Sequence, residues 1–351
     1  MTITFGQSTC SCVLALLTAV SAACGAYAGS ITTNDPPIAT LVNGRTGTIA
    51  FEALTPKNSR DLVNGKAAEK SVIAGVLTLP ESANMVGPPS AKVPAMVVVH
   101  GSSGVVQNDW DWAERLNDLG VATFVIDNFT GRGVKETATD QSRLSPAADV
   151  AGALSALRLL ATHPSIDPSR IGVIGFSRGG SAAINSALEP IRHAIINDDL
   201  RFAAHVALYP GCAVPFVSAH LDGSPMLMLL GGKDDYTPAS FCLAYAEKLR
   251  AKGASVREVV YPNANHAFDS KWPPHFNPRP TTLHNCHGEV DLDEGVFTVQ
   301  TGDQTVQGAA AAAEIKRCTE RGVTVGRDPE AREKAPSDVA SFLKPIFALA
   351  H

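Results

Sequence analysis

Charged side chains are scarce in this chain and are missing altogether from its first 28 residues. Asp, Glu, Lys and Arg make up 18% of the 351 residues, and Lys plus Arg total 29 against 34 for Asp plus Glu, without long runs of one sign. Nucleic acids and anionic membrane surfaces attract proteins with clustered positive charge. The net charge of −5 and its even spread therefore predict no nucleic-acid partner.

Aromatic residues are also few, at 6%, but 45% of the residues are hydrophobic. A chain of this length and composition can bury a large core, which excludes an intrinsically disordered protein. We expect one folded domain over residues 29–351, preceded by an N-terminal segment of a different kind.

That uncharged N-terminal segment has the features of an export signal. An apolar run from Val13 to Ala28 ends in Ala26-Tyr27-Ala28, the small-x-small pattern after which signal peptidases cut. No Lys or Arg precedes the run, so only the terminal amine supplies positive charge. About 16 apolar residues are short for a membrane span, which needs roughly 20, so a membrane anchor is the less favoured alternative. We predict a cleaved signal peptide at 1–28 and a periplasmic or secreted protein without a stable membrane span.

Short β-type runs alternate with helical patterns along the rest of the chain. Two segments, 146–162 and 239–252, repeat apolar residues with a helical period. Strands that alternate with helices form mostly parallel sheets with helices on both faces, so we predict an α/β fold of this kind. No clear helix separates the first two strands, which predicts an antiparallel edge. The predicted strands are 48–54, 71–79, 94–100, 121–126, 171–175, 203–209, 226–230 and 256–261.

The alternation breaks at residues 273–305, which are rich in Pro, Asn, His and Gly. Such residues are typical of turns and loops. We interpret this segment as a loop insertion within the domain. An alanine-rich helix carrying Cys318 follows it, and a last helix is predicted from Ser337, with Pro345 bending or ending it.

No Cys-x-x-Cys pair follows the predicted signal peptide, which argues against a zinc ribbon or a thioredoxin-type site. The four remaining cysteines suit an oxidising compartment and allow three pairings. We predict a disulfide between Cys212 and Cys242, because these cysteines follow neighbouring strands. We predict a second between Cys286 and Cys318, which joins the insertion to the alanine-rich helix. His284 and Cys286 lie close to a further histidine, but a turn with a disulfide-bonded cysteine is favoured over a metal site, so no metal is predicted.

The sequence Gly175-Phe176-Ser177-Arg178-Gly179 carries the strongest functional signal. It follows a predicted buried strand directly and precedes a helical pattern. At such a turn the glycines allow a sharp elbow that holds the serine hydroxyl above the edge of the sheet, where a base can reach it. We predict that Ser177 is a catalytic nucleophile. The alternative is a glycine-rich turn with an idle serine.

A serine nucleophile needs a histidine to accept its proton and a carboxylate to orient that histidine, in the chain order Ser, Asp, His for this architecture. Asp234 and His266 each follow a predicted strand, as Ser177 does. We predict His266 as the base and Asp234 as its partner. Asp235 is the competing carboxylate, and Asp127 is a third candidate that is better explained as shaping a turn.

Acyl transfer also needs two N–H groups aimed at the developing oxyanion. The backbone N–H of Arg178 is the first candidate because it follows the nucleophile at the start of a helix. The second should come from the loop at 100–104, where we choose Ser102, with Ser103 next. His100 is interpreted as a structural support of that loop.

Together these motifs resemble the dienelactone hydrolase family of the α/β-hydrolase superfamily. The resemblance extends from about residue 71 to residue 268 and implies an α/β-hydrolase fold. The residues that carry it are His100-Gly101, 127–133, the elbow at 175–180, Gly232-Lys233-Asp234 with Pro238, and Asn265-His266-Ala267-Phe268.

The chain departs from the family at several positions. Dienelactone hydrolases proper use cysteine where this chain has Ser177, and have glutamate where this chain has Gly101. They also bind a substrate carboxylate with arginines. Here Lys271 is the nearest cation after the predicted base, and Arg132 is a loose match to another arginine. These differences favour a serine esterase that resembles the family in fold.

We therefore expect an exported carboxylic ester hydrolase that acts on a small-molecule ester without a cofactor. Hydrolysis of a lactone or a peptide by the same triad is the first alternative, and a non-catalytic binding protein of the same fold is the second. Such binding proteins commonly lack a triad member. Arg132 and Tyr236 are the predicted substrate-binding residues. Further candidates for the pocket lining are Trp110, Trp112, Phe129 and Trp272.

Overall fold

The computed structural model describes residues 29–66, 68–81 and 92–349. The predicted signal peptide lies outside these residues. The strands are β1 (Gly47–Thr55), β2 (Glu69–Thr78), β3 (Val93–Val99), β4 (Ala122–Asp127), β5 (Ile166–Phe176), β6 (His205–Leu208), β7 (Phe216–Val217), β8 (Met226–Gly231), β9 (Val256–Tyr261), β10 (His275–Thr282), β11 (His287–Asp291), β12 (Val296–Thr301), β13 (Gln304–Gln307) and β14 (Glu320–Val325). The α-helices are α1 (Ser59–Val63), α2 (Gln107–Asp118), α3 (Pro146–Leu160), α4 (Arg178–Asn185), α5 (Glu189–Ile195), α6 (Ala239–Ala251), α7 (Gly308–Cys318) and α8 (Pro329–Phe347).

A central sheet of eight strands has the order β1-β2-β4-β3-β5-β6-β8-β9. The first three are antiparallel neighbours, and every pair from β4 to β9 is parallel. This confirms the predicted mostly parallel sheet with an antiparallel edge. Parallel neighbours end at the same side of the sheet, so the residues that follow β3, β5, β6, β8 and β9 are brought to one edge.

The core has two layers because side chains alternate between the faces of the sheet. In β3, Val97 and Val99 pack on the face covered by α3, while Met96 and Val98 pack on the face covered by α2 and α8. A strand buried on both faces needs apolar residues at every position, which explains the continuous apolar run in β3.

The last helix is longer than predicted. It begins at Pro329, not at Ser337, and continues through Pro336 and Pro345. The Asp328 side chain accepts a hydrogen bond from the Ala331 N–H at 2.8 Å and caps the helix, and proline suits the first helical position. The first buried residues of its stripe are alanines, which give a weak hydrophobic signal. The stripe is Ala331, Ala335, Val339, Leu343 and Phe347.

The segment at 273–305 is not the loop that its composition predicted, because it contains strands β10 to β12 and the start of β13. Strands β11, β12 and β13 form an antiparallel meander, and β7 of the main domain joins β11 in parallel. Strand β10 pairs antiparallel with β14, which follows the alanine-rich helix α7 in the sequence. The turn residues lie between short strands: Gly295 and Gly302 have φ of 66° and 58°, which only glycine adopts easily. We call residues 275–325 the cap.

Both predicted disulfides are present. Cys212 is bonded to Cys242 in α6, and Cys286 is bonded to Cys318 at the end of α7. The first bond lies within the main domain, and the second holds α7 to the meander of the cap. Among the described residues, no helix is both long enough and apolar enough to cross a membrane.

Candidate active site

Ser177 lies at the turn between β5 and α4 with φ of 53° and ψ of −116°. A non-glycine residue rarely adopts such a conformation, and it is the strained elbow that the sequence predicted. The neighbouring glycines are required by space. A Cβ on Gly175 would lie 2.0 Å from the Gly179 carbonyl oxygen, and a Cβ on Gly179 would lie 2.1 Å from that of Val99. The elbow can therefore form only with glycine at both positions.

His266 and Asp234 form a buried hydrogen-bonded pair. His266 Nδ1 lies 2.8 Å from Asp234 Oδ2, so Nδ1 carries the proton and Nε2 remains the basic nitrogen. The other carboxylate oxygen of Asp234 accepts the N–H groups of Tyr236 and Thr237 at 2.9 and 2.8 Å. The Thr237 hydroxyl donates to Asp234 Oδ2 at 3.0 Å. These bonds fix the carboxylate, which in turn fixes the orientation of the imidazole.

The two competing carboxylates are engaged elsewhere. Asp235 points away from His266 and accepts the N–H and hydroxyl of Thr324 in β14 at 2.7 and 2.8 Å. Asp127 accepts the N–H groups of Phe129 and Thr130, both at 2.9 Å, and so shapes the turn after β4. Neither carboxylate is hydrogen-bonded to His266.

The loop after β3 lies against the elbow. A Cβ on Gly101 would approach the Ser177 Cβ to 3.4 Å, so the loop and the serine are in contact. His100 supports this loop: its Nδ1 is hydrogen-bonded to the Gly101 carbonyl at 2.7 Å, and its Nε2 accepts the Asn128 N–H at 3.1 Å. Ser102 is buried next to Gly101 in this loop.

Arg178 begins α4, so its backbone N–H has no partner within the helix. Its side chain is buried and is bonded to groups of the protein. Nε pairs with Asp149 at 2.6 Å, Nη2 donates to the Leu144 carbonyl at 2.5 Å, and Nη1 donates to Gln141 Oε1 at 3.1 Å. The charge of the guanidinium is therefore balanced by a carboxylate within the protein.

Two tyrosines pack against His266. The ring centroids of Tyr236 and Tyr209 lie 4.6 and 4.7 Å from that of the imidazole. The Tyr236 hydroxyl is hydrogen-bonded to Ser102, and burial raises the pKa of Tyr236 to about 12. The Tyr209 hydroxyl donates to Asp269 at 2.8 Å. Sequence reasoning missed Tyr209 and Asp269, although Tyr209 ends a predicted strand at the same edge of the sheet. In the structure Tyr209 has φ of 40°.

A cavity of about 440 Å³ opens beside Ser177. Its walls come from the elbow and α4, the segment between β6 and β7, helix α6, and the cap. Tyr236 lines it, as predicted. The apolar lining residues are Pro146, Ala182, Ile184, Ala213, Val214, Pro215, Phe216, Pro238, Phe241, Leu283, Phe297 and Ile315.

Arg132 was expected to bind substrate, and this prediction is wrong. It does not line the cavity, and its partly buried guanidinium donates from Nη1 to the Asn128 carbonyl at 2.8 Å and from Nη2 to the Leu54 carbonyl at 3.0 Å. Burial lowers the pKa of Arg132 to about 10. Lys271 pairs with Asp111 at 2.9 Å. Arg132 is thus a structural residue that joins the turn after β4 to β1.

The other aromatic candidates lie outside this cavity. The Trp112 indole is buried and donates to Asp269 at 2.7 Å, while Trp272 is exposed. Phe129 packs in the core against His100. Trp110 packs against the apolar layer of α2. Among the described residues, no cluster of three or more His, Cys, Asp and Glu side chains is arranged to hold a metal ion.

A mostly parallel sheet, a serine at a strained elbow after its fifth strand and a buried His-Asp pair at the same edge define an α/β-hydrolase fold. The model of the dienelactone hydrolase family matches residues 82–287, which is more than half of the chain. The protein belongs to the dienelactone hydrolase family and is a hydrolase that acts on esters.

Similar proteins carry related names. A putative carboxymethylenebutenolidase of Methylorubrum extorquens is 29% identical over 197 residues, which are 53% of this chain and 67% of that protein. A second putative carboxymethylenebutenolidase, from Yersinia pestis, is 25% identical over 192 residues, 52% of this chain and 72% of that protein.

Solved structures share the fold at low identity. A dienelactone hydrolase-like promiscuous phosphotriesterase from metagenomic libraries has a TM-score of 0.50 at 16% identity and covers 86% of this chain and 99% of its own. Esterase 2 of Thermogutta terrifontis, phosphorylated by paraoxon, has a TM-score of 0.50 at 16% identity and covers 82% of this chain and 92% of its own.

Proposed function

We propose that this protein is an exported serine carboxylic ester hydrolase with the triad Ser177, His266 and Asp234. The observation that carries the proposal is the 2.8 Å hydrogen bond between His266 Nδ1 and Asp234 Oδ2, at the edge of the sheet where the elbow presents Ser177. This bond holds the imidazole in the tautomer whose Nε2 can accept a proton.

The reaction proceeds in two acyl transfers. Ser177 Oγ attacks the ester carbonyl carbon while His266 Nε2 accepts the hydroxyl proton, and the resulting imidazolium is stabilised by Asp234. The N–H of Arg178 and an N–H of the loop at Ser102 stabilise the oxyanion. His266 then protonates the leaving alcohol as the bond to the acyl carbon breaks. Water, deprotonated by His266, hydrolyses the acyl-enzyme and restores the Ser177 hydroxyl.

Lactone hydrolysis is the second candidate, favoured by the names of the relatives in Methylorubrum extorquens and Yersinia pestis. A lactone is a cyclic ester, so the same attack by Ser177 opens the ring, and the alcohol remains tethered to the acyl group. A panel with a linear p-nitrophenyl ester, a lactone and a peptide amide separates these substrates by kcat/KM.

The nucleophile is tested by substitution and by covalent labelling. An enzyme whose catalytic residues act as a unit loses nearly all of its activity when one of them is removed. Ser177→Ala and His266→Ala should therefore each lower kcat by about 10⁴ or more. A fluorophosphonate should add its phosphonyl group to the Ser177 peptide of the wild type, as measured by peptide mass spectrometry. The control is Ser142→Ala, at an exposed position, which should keep both activity and labelling. Full esterase activity in folded Ser177→Ala would overturn the proposal.

Export is supported by the two disulfides and by the cleavage pattern at Ala28. We expect protein recovered from the periplasm or the medium to begin at Gly29 and to contain both bonds. N-terminal sequencing and peptide mapping without reduction measure this. An intact N-terminus at Met1, with the thiols of Cys212, Cys242, Cys286 and Cys318 all free in protein from an oxidising compartment, would contradict it.

A further inference from the structure

We propose that the cavity beside Ser177 takes an apolar, uncharged acyl group, and that the cap determines the length of this group through Leu283, Phe297 and Ile315. This inference rests on the proposed esterase function and specifies its substrate class. It is carried by three features of the cavity: its apolar walls, the state of its charged lining residue, and the attachment of the cap to the main domain.

The cavity walls favour an apolar ligand. About 440 Å³ lies within the usual range for small-molecule sites, which are lined mostly by apolar groups with a few polar atoms that orient the ligand. Most of the lining residues here are apolar. The polar lining residues include Ser102, Ser177 and Tyr236. An ester would place its carbonyl beside Ser177 and an alkyl or aromatic group against the apolar walls.

The cavity lining has no unpaired positive charge, among the described residues, that could bind an acidic substrate. Arg178 is the one charged residue among the described residues that line the cavity, and its guanidinium pairs with Asp149 at 2.6 Å and binds the Leu144 carbonyl. A carboxylate on the substrate would be desolvated in an apolar cavity without an opposite charge, which is costly. The lining therefore selects against an anionic acyl group.

The cap is firmly attached to the wall that it completes. In the cap, the Gly288 and Val290 N–H groups donate to the Ala213 and Pro215 carbonyls, both at 2.9 Å, which extends the meander onto the segment before β7. The Thr282 hydroxyl donates to the Tyr236 carbonyl at 2.9 Å. The cap wall is thus preformed, and its residues can set a size limit without first folding over the substrate.

Phe297 is the residue through which the cap can be tested. It lies on β12, is partly exposed and lines the cavity, so its substitution changes the cavity volume with little effect on the core. Phe276 on β10 is the matched control because it is a phenylalanine of the same cap, is 64% exposed and does not line the cavity.

The experiment measures kcat/KM for p-nitrophenyl esters from acetate to dodecanoate. In the wild type, kcat/KM should rise about threefold or more per added methylene until the cavity is filled, and then fall. Phe297→Ala should move the optimum to longer acyl chains and Phe297→Trp to shorter ones, so that the octanoate-to-butyrate ratio changes at least about fivefold in opposite directions. Phe276→Ala should keep the wild-type optimum.

The outcomes separate the two proposals. An unchanged optimum in both Phe297 variants, with Ser177-dependent hydrolysis of acetate retained, would overturn the role of the cap and leave the esterase proposal standing. An equal shift in Phe276→Ala would also overturn it, because the effect would then not depend on the cavity wall. Hydrolysis that persists in Ser177→Ala would instead overturn the esterase proposal itself. If Phe297→Ala does not fold, Phe297→Trp and Ile315→Phe test the same wall by filling it.

Discussion

At the scale of single residues, Ser177 has a strained backbone conformation that is maintained by close packing around it. This packing leaves no room for a side chain at Gly175 or Gly179. A non-glycine residue with positive φ costs about 1–3 kcal/mol, and such conformations cluster at active sites. The contacts of Gly175 and Gly179 with backbone oxygens make this turn stable in spite of the strain. The conformation directs the Ser177 side chain out of the sheet, where the proposed chemistry takes place.

The choice between the two aspartates can be tested by replacing each with asparagine. Asp234→Asn leaves Ser177 and His266 in place but favours the wrong imidazole tautomer, so kcat should fall by about 10⁴. Asp235→Asn should stay within about tenfold of the wild type because that side chain bonds Thr324 in the cap. Steady-state kinetics with one p-nitrophenyl ester measure both. Loss of activity in Asp235→Asn, with activity kept in Asp234→Asn, would show that Asp235 and not Asp234 is the partner of His266.

Two buried carboxyl groups, Asp109 and Asp269, should make the stability of the protein depend on pH. The Tyr209 hydroxyl donates to Asp269. Burial, together with the nearby negative charge of Asp269, raises the pKa of Asp109 from 3.8 to about 8. The folded protein then keeps a proton that the unfolded chain releases above about pH 4, so this residue's contribution to stability is lost as pH rises from about 4 to about 8.

The asparagine substitution removes this titration. Asp109→Asn remains neutral and can still accept the Val106 N–H, so its melting temperature should fall less between pH 5 and pH 8 than that of the wild type, by about 2 °C or more. Asp118→Asn, an exposed change in the same helix, is the control. Parallel melting curves against pH for Asp109→Asn and the wild type would show that Asp109 does not hold this proton.

At the scale of elements, the cap and the segment between β6 and β8 depend on the two disulfides. Cys212 lines the cavity and ties that segment to α6, while the Cys286–Cys318 bond holds the helix that carries Ile315. Both bonds therefore constrain walls of the cavity, so their removal affects stability and the shape of the site together.

Removal of Cys212–Cys242 should destabilise the protein by about 3–4 kcal/mol on the chain-entropy account, because the bond closes a loop with a sequence separation of 30. Guanidinium unfolding of the Cys212→Ala/Cys242→Ala protein measures this as a lower midpoint. A midpoint equal to that of the wild type would show that the bond contributes nothing to global stability.

At the scale of the whole molecule, the acidic net charge and the internally paired arginines leave the site without an evident anion receptor. We expect a neutral ester to be hydrolysed at least as well as its carboxylate-bearing analogue, as judged by kcat/KM. Ile315→Lys, which would place a cation on the cavity wall, should raise the relative kcat/KM of the acidic analogue about tenfold. A wild-type preference of about a hundredfold for the acid, some 2.7 kcal/mol, would indicate an anion site.

Local patterns predicted much of this protein correctly. Apolar runs and helical periods gave the central strands and helices, because a strand buried on both faces must be apolar throughout. The short motif predicted the elbow at Ser177, because only glycine fits at positions 175 and 179. The order of strands then placed Asp234 and His266 at the same edge, since parallel strands end together.

The sequence by itself therefore determined the fold class, the elbow and the cysteine pairing, which depend on local pattern or on the order of strands. Only the tertiary structure decided that Arg132 is a partly buried structural residue, that Tyr209 packs against His266 and bonds Asp269, and that the segment at 273–305 contributes strands to the cap. Each of these depends on contacts between residues far apart in sequence: Arg132 bonds Leu54, and Asp269 bonds Trp112. The physical reason is that a buried polar group must find a partner wherever packing places one, and composition does not encode that place.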